Sequence, residues 1–272
     1  LGIPNLPRLL RVSSGMPKSH KYDVYARGFA TEEILGDREE IVKKLLEMAA
    51  VSRESGFQGF LPTLLLDEHS TRPRSAARVL WDACQKAQRL YGLRCYPRCH
   101  VKVDRVGTAK RIIREIRRMC AILSIEVSTR DLYAFACRDR RVDIVTIGSK
   151  ALSALQKGVV KYAQLRGKFF ELVIGYLFEG GIEDQIISRL ASYKEIASLT
   201  LRKGIPLLLS SGPQKVYNPY SYRVLLSFAD AVLEVPADHV ARSMGSLLEL
   251  RIRENIEKIV GKRPAEGVFI EE

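Results

Sequence analysis

Two patterns of apolar positions alternate along this chain. Short runs with period two or continuous burial read as strands, and longer stretches with apolar residues three and four apart read as amphipathic helices. KYDVYA, residues 21–26, is the first strand, and DREEIVKKLLEMAAVSRES, residues 37–55, is a helix whose Ile41, Leu45, Leu46 and Met48 to Ala50 share a face. GFQGFLP supplies a second strand and Pro73 to Tyr91 a second helix, with Pro73 suited to its first turn. Arg94 to Val103 is the third strand. Thr108 is then placed to cap a helix that turns Ala109, Ile112, Ile113 and Ile116 inward. The pattern repeats through AILSIEV (121–127) and its helix RDLYAFACRD, DIVTI (143–147) and ALSALQKGVVKYAQ, and FFELVI (169–174) with a long helix from Glu183 to Lys203. GIPLLLS with a helix from Tyr220 to Phe228, and the strand ADAVLEV with a closing helix from Asp238 to about Val260, complete the series.

Eight strand-then-helix units can be counted, and parallel neighbours need crossover helices between them. The expected fold is therefore α/β, a TIM-like (β/α)8 barrel with a flexible N-terminal arm and a long C-terminal helix. Residues 1–20 are assigned to the arm: three prolines, Ser-Ser-Gly, and four basic residues counting Lys21 precede the first acid, Asp23. Residues 21–262 are taken as one barrel domain and 263–272 as a tail. No apolar run approaches the roughly 18 residues of a spanning helix, and no signal-peptide core is visible, so the expected compartment is cytoplasmic. Five cysteines (Cys84, Cys95, Cys99, Cys120, Cys137) form an odd set, expected to be reduced and mostly buried. Cys95, Cys99 and His100 lie close in sequence, but no second CxxC or HxxxH completes a zinc site.

Charge changes the picture. The net charge is +13, and between Arg72 and Arg118 there are 14 Lys/Arg against 3 acids. Such a block is an electrostatic footprint for a polyanion, with nucleic acid the expected one; the alternative is a solvated arginine-rich face. The helix bearing Lys110, Arg111, Arg114, Arg117 and Arg118 has only Glu115 to offset it, and a helix this self-repulsive is best explained by an anionic partner. Arg72, Arg74, Arg98, Lys102 and Arg138 extend the candidate surface. Lys215 and Tyr217, in the stretch SSGPQKVYNPY, add a charge and a stacking ring. With no base-reading motif, the contact expected is phosphate and shape recognition of folded RNA.

Catalytic equipment is harder to find. A metal-dependent barrel hydrolase would carry His-x-His on its first strand, where this chain has Tyr22-Asp23-Val24-Tyr25-Ala26. Asp23, Glu126, Glu171 and the Ser210 to Gly212 turn could serve an alternative metal-dependent phosphoesterase or hydrolase. Glu126 and Glu171 equally suit pairing with basic neighbours inside the barrel. No Walker loop, Rossmann fingerprint or nucleophile elbow occurs.

RVDIVTIGSKAL (141–152), RGKFFELVI (166–174), GIPLLLSSG (204–212) and RRMCAILSIEVSTRDLYAFACRDRRVDI (117–144) resemble, in order and spacing, segments of the ribonuclease P protein component 3 family, from about Tyr22 to Val235. One departure stands out: where the family has an Arg-x-Pro-x-Asp pattern, this chain has Tyr217-Asn218-Pro219-Tyr220-Ser221. The resemblance implies a barrel without catalytic residues or cofactor of its own. It would help a catalytic RNA, with Mg2+ on that RNA, act as an endoribonuclease that removes 5′ leaders from precursor tRNA. The implied partners are ribonuclease P RNA, precursor tRNA indirectly, and ribonuclease P protein component 2 with other protein subunits. The C-terminal helix is not a family feature carried over by the resemblance.

Overall fold

A computed structural model describes residues 20–148, 157–179, 183–212 and 217–261; the arm and the tail lie outside these. In chain order the elements are β1 (Tyr22–Asp23), β2 (Gly28–Phe29), α1 (Thr31–Gly36), α2 (Arg38–Glu54), β3 (Gly59–Phe60), β4 (Thr63–Leu66), α3 (Pro73–Tyr91), β5 (Arg94–Cys95), β6 (Arg98–Val101) and α4 (Val106–Ile116). They continue with β7 (Ile122–Val127), α5 (Arg130–Arg138), β8 (Ile144–Ile147), α6 (Lys157–Leu165), β9 (Phe169–Val173), α7 (Ile174–Leu177), α8 (Glu183–Lys203), β10 (Leu207–Ser210), α9 (Tyr222–Ala231), α10 (Ala237–Arg242) and α11 (Leu248–Ile259).

Seven strands pair in parallel in the order β10-β9-β8-β7-β6-β4-β2, and β1-β3-β5 form a second parallel sheet. The two sheets are one set of strand courses interrupted. Pro62 and Pro97 lack an N–H and break the second and third courses, yet backbone bonds such as Arg98 N to Pro62 O (3.0 Å) carry the pairing onward. The result is a curled parallel sheet wrapped by helices, with a continuous apolar core between the two layers.

An eighth strand over 229–235 does not form among the described residues. Tyr222, Leu225 and Ala229 instead bury one face of α9, Ser221 caps it by accepting from Val224 N at 3.3 Å, and its C-terminal bonds run on to Val235. Between β10 and the first course, Gly212 N donates to Tyr25 O at 3.1 Å. The remaining gap is covered by a π-helical turn, Ser243–Leu247, that joins α10 to α11 and packs on both β10 and β1.

This joined C-terminal helix runs beneath the strand starts, burying Val240, Met244, Leu248, Ile252 and Ile256. Arg251 donates to Gly167 O (3.0 Å), Asn255 Nδ2 to Ala121 O (2.9 Å), and Glu249 accepts from Tyr22 and Arg94. Its apolar side is the floor of the barrel rather than a free surface. Two further expectations are corrected. Cys99 and Cys120 form a disulfide (Cα–Cα 5.7 Å) across neighbouring strand courses, while Cys84, Cys95 and Cys137 are free and buried. Thr108 does not cap α4, which starts at Val106 with Arg105 at the N-cap and no side-chain cap bond.

Candidate nucleic-acid interface

Helices α3, α4 and α5 pack side by side on the outside of the sheet. On α4 the inward positions are Ala109, Ile112, Ile113 and Ile116, so the 3.6-residue repeat leaves Lys110, Arg111 and Arg114 outside, with Arg118 following in the 3-10 turn Arg117–Met119. Arg72 and Arg74 stand exposed at the start of α3, and the Arg74 Nε donates to Glu115 O at 3.0 Å, tying the two helices together. Arg138 ends α5, its guanidinium 4.7 Å from the centroid of the Tyr162 ring, and Lys110 lies 5.7 Å from that of Phe135. Among the described residues, Arg111, Arg114 and Arg118 carry no ion pair. The face also includes exposed Arg140, close after Arg138 in sequence, and exposed Arg78, Arg105 and Arg130, which were not among the expected contacts. Arg78 was legible: it follows Arg74 by one helical turn.

Three proposed contacts point elsewhere. Arg98 is fully buried: its side chain faces the barrel interior, where it makes a bidentate pair with Glu171 (2.7 and 2.5 Å) and donates to Ser124 Oγ, Thr146 Oγ1 and Val24 O. Burial would raise the Glu171 carboxyl, but Arg98 outweighs it and holds the group below the usual carboxylate range. Arg117 turns toward the barrel floor, to Asn255 Oδ1 (2.8 Å) and Asp143 (3.4 Å). Tyr217 is buried rather than offered for stacking; its hydroxyl meets Asp23 Oδ2 (3.0 Å) and Ser52 Oγ (2.8 Å). Lys215 lies outside the described residues.

At the C-terminal mouth of the strands, Lys102 is 64% exposed and pairs with Glu126 at 3.1 Å. Tyr176 donates to the same carboxylate at 2.7 Å, and His100 Nε2 lies 3.4 Å away. Burial opposes ionisation of Glu126, but His100, Lys102 and Tyr176 together hold it down to about 2. Burial lowers His100, keeping the imidazole neutral at neutral pH. Ser210 and Ser211, in the turn that an alternative hydrolase would use, are spent within the protein: Ser210 donates to Glu171 (2.8 Å) and Ser211 Oγ accepts from Tyr220 N (3.1 Å). Gly212 has φ 106°, and a Cβ there would stand 2.6 Å from Val173, so the turn requires glycine. Among the described residues no group of three or more His, Cys, Asp or Glu converges as a metal site, and Cys95, Cys99 and His100 diverge.

The sequence matches the family model for RNase P subunit p30 over residues 22–257. The chain belongs to this family. As a p30-family member it is a protein subunit of RNase P, the tRNA-processing ribonuclease. In fold it is similar to a chain of a cryo-EM structure of archaeal ribonuclease P with mature tRNA, at 15% identity and TM-score 0.66, covering 93% of this chain and 97% of that one. Organophosphorus hydrolase from Deinococcus radiodurans also aligns, at 13% identity and TM-score 0.40 over 88% of this chain and 89% of that one. No curated protein matches the sequence. The p30-family match spans every described strand and all of the basic face, so the helices α3 to α5 are family structure rather than an appended segment.

Proposed function

We propose that this RNase P subunit uses the outer face of α3, α4 and α5 to bind phosphates of the catalytic RNA, with 5′-leader cleavage of precursor tRNA carried out at Mg2+ held by that RNA. The observation that carries the reading is the unpaired row Arg111, Arg114 and Arg118 beside Arg74, on a face with few acids. Like charges at three- and four-residue spacing destabilise an isolated helix, and an RNA backbone removes that cost by releasing its counterions to make the contacts. The interior supports the same assignment. Glu171 is committed to Arg98, and Glu126 to Lys102 and Tyr176, so the carboxylates a barrel hydrolase would use as acid and base are held as internal ion pairs. Ribonuclease P protein component 2 and the other protein subunits are the expected protein neighbours, in the cytoplasm.

The test is reconstitution of precursor-tRNA cleavage: the chain alone, ribonuclease P RNA with the other subunits, and that mixture completed by this chain. Cleavage gained only on completion is the expected result. Cleavage by the chain alone would return attention to the barrel mouth. Within the completed particle, Arg114→Ala with Arg118→Ala should weaken RNA binding by about 1–3 kcal/mol without lowering the unfolding midpoint of the chain.

A further inference from the structure

The disulfide and the basic helix share a boundary. Cys99 lies on β6, Cys120 follows the 3-10 turn after α4, and the 21-residue separation between them encloses all of α4. The enclosed segment carries Lys102, Arg105, Lys110, Arg111, Arg114, Arg117 and Arg118 against Asp104 and Glu115. Both cysteines are fully buried.

α4 is a helix that its own N-terminus does little to support. It has no side-chain cap and no acid in its first turn, where either would satisfy or complement the exposed N–H groups. Lys110 with Arg114, and Arg114 with Arg118, set like charges one turn apart. Inward burial of Ala109, Ile112, Ile113 and Ile116 holds it from the barrel side, and the Trp81 indole of α3 donates to Met119 O (2.7 Å) in the turn that follows it. A covalent closure across its two flanks restricts how far the segment can open, because the freedom of the loop is removed whether or not the helix is formed.

We propose that the Cys99–Cys120 disulfide clamps α4 to the barrel, making these two cysteines positioning residues for RNA binding; this rests on the reading of the α3–α5 face as the RNA contact. The bond forms by thiol–disulfide exchange. The two thiols lose two protons and two electrons to a disulfide-bearing oxidant, which leaves as two thiols, and one S–S bond is made for one broken.

The full chain, purified without reductant, is denatured, alkylated and weighed before and after reduction. Cys84, Cys95 and Cys137 should be the alkylated residues before reduction, with Cys99 and Cys120 added only after it. All five labelled at the outset would overturn the proposal. Cys99→Ala with Cys120→Ala should then speed amide exchange across 106–119 by about tenfold, with 144–147 and 169–173 unchanged. RNA affinity should fall and become less steeply dependent on salt, because fewer phosphates are held in register. Loss of a disulfide that serves only global stability would lower the unfolding temperature and leave that salt slope unchanged. Unaltered exchange in α4, or faster exchange with unaltered affinity and slope, overturns the positioning role. A wild-type chain that binds no RNA overturns the reading of the face instead, and the exchange result still decides the clamp. If the double variant does not fold, the same readouts on wild-type protein refolded in excess dithiol decide it.

Discussion

Asp23 sits beside the seam where β10 approaches the first strand course, fully buried, with its carboxyl pushed up to about 6. Loss of water is the largest cause; hydrogen bonds from Tyr217 and Ser211 pull the other way and do not match it. Because the ordinary value is 3.8, the contribution of Asp23 to stability is full below about pH 4 and is lost as pH rises through 6. Asp23→Asn should therefore raise the unfolding temperature at pH 8 by several degrees, against a penalty of roughly 3 kcal/mol, and leave it nearly unchanged at pH 4. Thermal unfolding at the two pH values checks this; a gap of equal size at both would point to packing rather than charge. Arg98 presents the opposite case, a buried charge that is fully partnered. Arg98→Met strands the Glu171 carboxylate and should cost about 3–5 kcal/mol in urea unfolding, whereas Arg98→Met with Glu171→Met should recover much of that loss. Equal losses in the single and double variants would mean that the pair contributes nothing beyond its volume.

At the scale of elements, the strand-and-helix alternation was legible because buried parallel strands write continuous apolar runs and their helices write a 3.6-residue repeat. Strands β6 to β10 fall within the spans read from sequence, whereas KYDVYA and GFQGFLP cover β1 and β3 and stop short of their continuations β2 and β4 in the main sheet. ADAVLEV failed because Leu225 and Ala229 share a helical face with Tyr222, and that periodicity extends into the apolar run. The splitting of the second and third courses carried a signal at Pro62 and Pro97; that of the first carried none. The inward turn of Arg98 did not, since alternation along β6 cannot say whether a cation finds a carboxylate three strands away. The disulfide was illegible for a similar reason: it depends on strand neighbours, not on spacing. The C-terminal helix showed its apolar side in sequence, yet only the fold shows that this side floors the barrel. Glu249 is its main polar tie, holding the Tyr22 hydroxyl and the Arg94 guanidinium. Glu249→Ala should cost about 2 kcal/mol, less than a fully buried pair because Arg94 keeps part of its guanidinium in water. Hydrogen exchange should quicken first at Gly59 and Arg94, in the short lower sheet above that helix. Uniform quickening across β7 to β9 would show instead that the floor and the main sheet open together.

For the whole molecule, a net charge of +13 alone would draw RNA to any part of the surface, so net charge and a built face make different predictions. Arg114→Ala with Arg118→Ala removes two positive charges from the α4 row; Arg202→Ala with Lys203→Ala removes two from the exposed end of α8, across the fold. Long-range attraction falls off within about 8 Å at physiological salt, whereas a phosphate in contact with an arginine displaces condensed counterions at any salt concentration. If α3 to α5 form the contact, the α4 pair should lower the slope of log affinity against log salt by about two, and the α8 pair should leave it unchanged. Both variants should reduce the association rate at low salt alike, since steering depends on total charge. Equal changes of slope would assign the binding to diffuse attraction. A change confined to the α8 pair would move the RNA to the opposite side of the barrel, and with it the reason for a helix that concentrates this much like charge.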